Sequence, residues 1–161
     1  MSARAAASHG YLVRHAKAGA RERWPGPDQL RPLTGAGERQ AERLHRALSA
    51  EGVGGARELR TSPYVRCRQT LEPLAAALRL PLVDDPRLAE GGSAGDVLAL
   101  LAGGVTMVLC SHGDVIYEVL SVLEGMGLLG GTEARMEKGS TWVLRLIAGE
   151  VVGAHYVAPP G

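Results

Sequence analysis

The sequence predicts an α/β protein of three layers, with helices packed on both faces of a mostly parallel central sheet. Three observations lead there. Short apolar runs of strand length alternate with longer segments of helical periodicity along most of the chain. The runs "GYLVRH" (residues 10–15) and "VTMVLCSH" (residues 105–112) are apolar almost throughout, as strands covered on both faces must be. No repeat or low-complexity tract breaks the alternation. At 161 residues and 45% hydrophobic content the chain fills one core comfortably and two poorly, so residues 1–161 are read as a single domain.

The elements follow in order. "GYLVRH" is the first strand, and "ARERWPGPDQLRPL" after it is a loop rich in proline and charge. Thr34 is placed to cap a helix whose apolar residues Ala41, Leu44 and Leu48 recur at helical spacing, ending near Gly52. "ARELRTS" is a short second strand. In "SPYVRCRQTLEPLAAALRL", Ser62 as N-cap and Pro63 at the first helical position mark a helix start, and Pro73 is expected to bend or break that helix. "LPLVDDP" suits an edge strand and "SAGDVLALLAGG" a short helix. "VTMVLCSH" is the strongest buried strand, and the helix after it carries Val115, Ile116, Val119, Leu120 and Leu123 on one face. "STWVLRLIAGEVVGAHYV" reads as a hairpin turning at Ala148-Gly149-Glu150.

Composition excludes several classes of partner. Eighteen basic and seventeen acidic residues leave a net charge of +1, which gives no general attraction to nucleic acid or to an anionic membrane. Two cysteines, Cys67 and Cys110, do not make a disulfide framework; they read as core packing in a reducing cytoplasm. The N-terminal "MSARAAASHG" lacks the apolar core of a secretory leader, and no stretch is long and charge-free enough to span a bilayer. Trp24 and Trp142 read as packing residues, Trp24 with a second option of stacking on substrate.

Function concentrates at the strand ends. Two strands terminate in histidine, His15 and His112, and in open α/β sheets ligands bind at the carboxyl ends of strands. Arg14 precedes His15. Arg66 and Arg68 lie near the start of a helix, where a cation opposes the dipole at a cost of about 0.3–1 kcal/mol each. A bound anion removes that conflict, since a helix N-terminus and a guanidinium fork both suit phosphate.

The segments "LVRHAKA", "TSPYVRCRQT" and "VLCSHGDVI" together resemble the histidine phosphatase (phosphoglycerate mutase-like) superfamily, in their order and approximate spacing. The small size and "LRPLTGAGERQA" are similar to the SixA-type phosphohistidine phosphatases. "RCRQTLEPLA" and "KGSTWVL" also resemble the histidine phosphatase domain at the C-terminus of some Nudix hydrolases. The resemblance implies a phosphoglycerate mutase-like fold, His15 as the nucleophile, and Arg14, Arg66 and His112 around the phosphate. Gly113 would offer its amide. Arg31 matches the arginine of the Arg-Pro-Leu-Thr segment and reaches substrate or holds its own loop; Lys17 either joins the site or is solvated. Glu90, in "DPRLAEGG", is the candidate general acid and Asp28 a poorer one.

Competing chemistries fail on spacing. A cysteine phosphatase needs Cys-x5-Arg, but Pro73 and Ile116 stand where the arginine should be. "EKGS" at Lys138 lacks the earlier glycine and strand of a phosphate-binding Walker loop. The histidines show no zinc-ligand spacing, and no metal or organic cofactor is implied. The expected substrate is a phosphorylated small molecule, a nucleotide or a phosphohistidine protein. The rival readings are a nucleotide polyphosphate phosphatase of the same fold and a non-catalytic phospho-binding module.

Overall fold

The computed structural model describes residues 6–161; the reading of the N-terminus as leaderless falls partly on residues 1–5, outside that range. Strand β1 (Ala7–Arg14) is followed by α1 (Gly35–Ser49), β2 (Glu58–Thr61), α2 (Val65–Leu78) and β3 (Leu82–Asp84). Then come α3 (Ala94–Leu101), β4 (Met107–Ser111), α4 (Gly113–Gly125) and the hairpin β5 (Thr141–Ile147) and β6 (Glu150–Val157). The sheet order is β3-β2-β4-β1-β5-β6. β3, β2, β4 and β1 run parallel, whereas β5 and β6 are antiparallel additions at one edge. β1 begins before its apolar run because Ala7, Ser8 and His9 pair with Ile147, Leu146 and Arg145 of β5.

Alternation along the strands builds two cores. Leu12, Met107, Leu109, Trp142 and Leu144 face α3 and α4, while Tyr11, Val13, Val108, Cys110 and Val143 face α1 and α2. This is the three-layer sandwich that the alternating pattern predicts. Val115, Ile116, Val119, Leu120 and Leu123 of α4 are all buried, as their spacing requires. The hairpin turns at Ala148 (φ 53°) and Gly149 (φ 79°), both left-handed as a two-residue turn between twisted strands demands.

Capping follows the sequence in part. Thr34 Oγ1 accepts from the Gly37 amide at 3.1 Å and starts α1. Helix α2, however, begins at Val65 with Tyr64 as its N-cap, not at Pro63 behind Ser62. The Ser62 amide still bonds the Cys110 carbonyl in sheet fashion, and its hydroxyl is engaged by His112, so the chain stays extended until Tyr64. Pro73 does not break α2 either, which continues to Leu78; the buried Leu74 and Ala75 anchor the far half.

β1 and β4 are neighbours whose following helices leave for opposite faces. That divergence opens a crevice at their carboxyl ends, the usual ligand position in such a sheet.

Candidate active site

The end of β1 is held from three sides. The His15 amide donates to the Ser111 carbonyl at 3.1 Å, the Arg14 amide to the Ser140 carbonyl at 3.0 Å, and the Gly139 amide to the carbonyls of both Arg14 and His15. Gly139 makes that approach at φ 85°, a conformation that favours glycine. The His15 ring is 6% exposed, and its Nδ1 lies 2.8 Å from the Ala16 carbonyl. Only a protonated Nδ1 can make that bond, so Nε2 of the neutral ring carries the free lone pair. Burial, with the neighbouring charges of His112, Arg66 and Arg14 and against the pull of the Ala16 carbonyl, pushes the His15 pKa down to about 3.

The Arg-x-x-Gln-Thr run of α2 serves this loop. Arg66 enters the site, Gln69 Oε1 accepts from the Leu33 amide at 2.8 Å, and Thr70 Oγ1 accepts from the Ala16 amide at 2.9 Å. One helical turn therefore supplies a cation and clamps two loop strands beside the histidine.

Arg66 is completely buried and near the start of its helix, as anticipated. The anions that answer it are carboxylates. Its Nη2 donates to Asp28 Oδ2 at 3.1 Å and to Glu90 Oε1 at 2.7 Å, and its Nη1 to the Asp28 carbonyl at 2.9 Å. The guanidinium also lies 4.9 Å over the Tyr64 ring. Arg14 donates through Nη1 to the Met136 carbonyl at 2.7 Å, and the Nε of both arginines finds no partner among the described residues. His112 caps α4, and its ring lies edge-on to His15 with centroids 5.5 Å apart.

Together these residues line a cavity of about 1170 Å³. Arg14, His15, Arg31, Arg66, Glu90, His112 and Gly113 all reach it. Lys17 does not: its side chain is exposed and outside the lining, and its backbone instead anchors Thr34 and Gln40. Arg31 is 6% exposed and bonds Asp28 and the Gly19 carbonyl, so it both holds its loop and faces the cavity. Although burial works the other way, hydrogen bonds from Arg31 and the Arg66 charge hold the Asp28 carboxyl below its usual range, which suits an ion-pair partner and not an acid. The Glu90 side chain is 30% exposed and bridges Arg66 and Arg21, and the Ser111 hydroxyl bonds the Leu88 carbonyl two residues before it. Trp24 donates to the Pro27 carbonyl and lies outside the lining; Arg68 pairs with Asp84 at the surface.

Sequence reasoning passed over Lys138 as a failed nucleotide loop. It lines the cavity, where burial and the surrounding charges of Arg14, Arg31, Arg66 and Lys17 hold its amine below the ordinary lysine range. The glycine after it was the only local signal. Cys67 and Cys110 are free and buried, and among the described residues no cluster of side chains could hold a metal ion.

A family model described as the histidine phosphatase superfamily (branch 1) matches residues 10–97, more than half of the chain. The chain belongs to the histidine phosphatase superfamily. An 8-oxo-(d)GTP phosphatase of Mycolicibacterium smegmatis is 38% identical over 156 residues, covering 92% of this chain. The chain spans 48% of that curated relative's length. Among solved structures, the protein histidine phosphatase SixA complexed with tungstate superposes with a TM-score of 0.74 at 25% identity, covering 94% of this chain and 97% of the other. A putative phosphohistidine phosphatase SixA from Nakamurella multipartitia gives 0.73 at 24% identity, covering 99% and 100%, and supports the fold. The phosphoglycerate mutase-like, SixA-type architecture expected from the motifs is thus the one observed.

Proposed function

We propose that this domain hydrolyses a phosphomonoester or phosphoramidate, protein phosphohistidine included, through a covalent phosphohistidine on Nε2 of His15. The observation that carries the reading is the Nδ1–Ala16 bond, which leaves Nε2 bare at the mouth of a cationic cavity. The Nε2 lone pair attacks phosphorus in line, and the bond from phosphorus to the leaving oxygen or nitrogen breaks as that atom takes a proton. Water then attacks the phosphohistidine and passes a proton to the Glu90 carboxylate left by the first step, while the phosphorus–nitrogen bond breaks and its electrons return to Nε2. Arg14, Arg66, the His112 ring and the first amides of α4 spread positive charge over the phosphoryl oxygens, which is most of what this chemistry requires. Glu90 is placed to protonate the leaving group, and Arg31 to contact the rest of the substrate. No metal takes part.

A nucleotide polyphosphate is the second reading. Identity to a relative named for 8-oxo-(d)GTP, and the additional cations Arg31 and Lys138 beyond the Arg14–Arg66 pair, favour it. Since the ends of β1 and β4, the first turns of α2 and α4 and the loops beside them all contribute to one site, we read residues 1–161 as one domain. Buried free thiols suit a reducing compartment, which we take to be the cytoplasm; no described helix is long and apolar enough to cross a membrane.

Rapid quenching with a labelled phosphoryl donor tests the mechanism. Acid-labile, alkali-stable label on His15, absent in His15→Ala together with turnover, is the expected result. Label on Ser111, Ser62 or a cysteine overturns it. A panel of phosphohistidine protein, sugar phosphates and nucleoside di- and triphosphates separates the two substrate readings.

A further inference from the structure

Ser62 was expected to cap a helix, and the structure uses it elsewhere. Its Oγ lies 2.8 Å from Nε2 of His112, with both residues at most 2% exposed. Which of the two atoms donates follows from counting protons on the other side of the ring.

Nδ1 of His112 faces Arg66 Nη2 at 3.5 Å and Glu90 Oε1 at 3.6 Å. A guanidinium Nη carries two hydrogens, and those of Arg66 Nη2 are directed to Asp28 Oδ2 at 3.1 Å and Glu90 Oε1 at 2.7 Å. None remains for His112. A bare Nδ1 would therefore set its lone pair against those of the Glu90 carboxylate, whereas an Nδ1–H points a positive hydrogen at it. In the neutral ring the proton then belongs on Nδ1, and Nε2 must accept. The Ser62 hydroxyl supplies the donor, while its oxygen accepts from the Tyr64 amide at 3.3 Å. Cys67 Sγ, at 3.6 Å from the same Nε2, is within reach of a sulfur contact, but a thiol is a weak donor beside the hydroxyl at 2.8 Å.

We infer that Ser62 is a positioning residue: its hydroxyl bond to Nε2 fixes His112 as the tautomer that presents Nδ1–H to the phosphoryl group. The inference rests on the phosphatase reading for its consequence, not for its geometry. A phosphate entering beside Arg66 takes the place of the Glu90 oxygen and meets an N–H donor. The other tautomer would offer it a lone pair. The two histidines of the site are thereby set in complementary ways. The Ala16 carbonyl keeps the proton on Nδ1 of His15 so that Nε2 attacks, and the Ser62 hydroxyl keeps Nε2 of His112 bare so that Nδ1 donates.

Long-range proton–nitrogen correlation spectra of protein labelled at histidine nitrogen test this directly. His112 is assigned by the signals lost in His112→Asn. In the wild type, neutral His112 should show a protonated Nδ1 and a bare, downfield Nε2. In Ser62→Ala the Nε2 signal should move toward the protonated position, with kcat about tenfold lower, and Ser62→Thr should restore both. A wild-type His112 protonated on Nε2, a tautomer unchanged in Ser62→Ala, or a tautomer that moves while kcat does not would each overturn the inference. If Ser62→Ala fails to fold, the wild-type spectrum decides. If no phosphate substrate is turned over, the spectrum still reads the tautomer, so failure of the phosphatase reading is seen separately.

Discussion

Gly113 packs against the guanidinium of Arg14 so closely that a β-carbon at position 113 would fall 2.9 Å from Nη2 and 3.0 Å from Cζ. The glycine of the second His-Gly pair is therefore a condition for where the first motif puts its arginine. Because Arg14 Nη1 is tied to the Met136 carbonyl, the guanidinium has little freedom to yield.

Gly113→Ala should leave the fold intact, since the first turn of α4 accepts alanine readily, and should displace Arg14 from the phosphoryl oxygens. A loss of about tenfold or more in kcat/KM, about 1.4 kcal/mol of transition-state stabilisation, is expected. Thermal melting checks that the fold survives, and unchanged kinetics would show that Arg14 does not depend on this contact.

Arg66→Lys tests guanidinium geometry. Lysine keeps the charge but loses the planar fork, which here reaches two carboxylates and stacks on Tyr64. Activity should fall at least about tenfold, roughly 1.4 kcal/mol. Near-normal kinetics in a folded variant would remove Arg66 from the phosphate site.

Features set by local periodicity were legible in the sequence. The buried face of α4, the Thr34 cap and the turn at Ala148-Gly149 depend on neighbours a few residues away, and each is found as read. His15, Arg14, Arg66 and His112 were legible as strand-end and helix-start anomalies, and they do converge. Ser62 was misread because Ser-Pro before an apolar run has the form of a helix start, while its actual partner is 50 residues away. Lys138 and Asp28 were missed or undervalued for the same reason. Lys138 is placed by Gly139 bonding to the end of β1, and Asp28 by a buried arginine from another element. Lys17 shows the opposite error, since nearness in sequence to His15 did not bring its side chain to the cavity.

Hydrolysis should persist in EDTA. Arg14, Arg66 and the α4 amides stand where phosphoryl transfer elsewhere employs a divalent ion. Activity lost on chelation and restored by one divalent ion would refute a metal-free mechanism.

Acid should weaken the fold through His15. The unfolded imidazole binds a proton near pH 6.5, and the folded one resists until about pH 3. Between those values the unfolded chain holds more protons, so this contribution is complete above pH 6.5 and is lost as pH falls toward 3, by at most about 1.4 kcal/mol per pH unit. Asp85 acts in the same direction at lower pH: hydrogen bonds from Arg87 hold its carboxyl down to about 2, and its contribution is lost as pH falls from 3.8 through that value. Denaturant titrations should show wild-type stability falling more steeply below pH 6.5 than that of His15→Asn. Parallel curves would mean that the imidazole is not held neutral by the fold.

Glu90 is tested by the leaving group. Its Oε1 lies 2.7 Å from Arg66 and 2.9 Å from Arg21, beside the path by which a substrate reaches His15. Glu90→Gln keeps an oxygen for Arg66 but has no proton to give. An alkyl phosphate, whose alkoxide leaves poorly, should then lose about 100-fold or more, the usual contribution of a general acid. Para-nitrophenyl phosphate, whose leaving group departs as a stable anion, should lose less than about tenfold. A phosphoramidate should resemble the nitrophenyl ester, because its leaving nitrogen is readily protonated from water. Equal losses on all three substrates would make Glu90 a partner that orients Arg66 and Arg21, and would leave the proton to solvent.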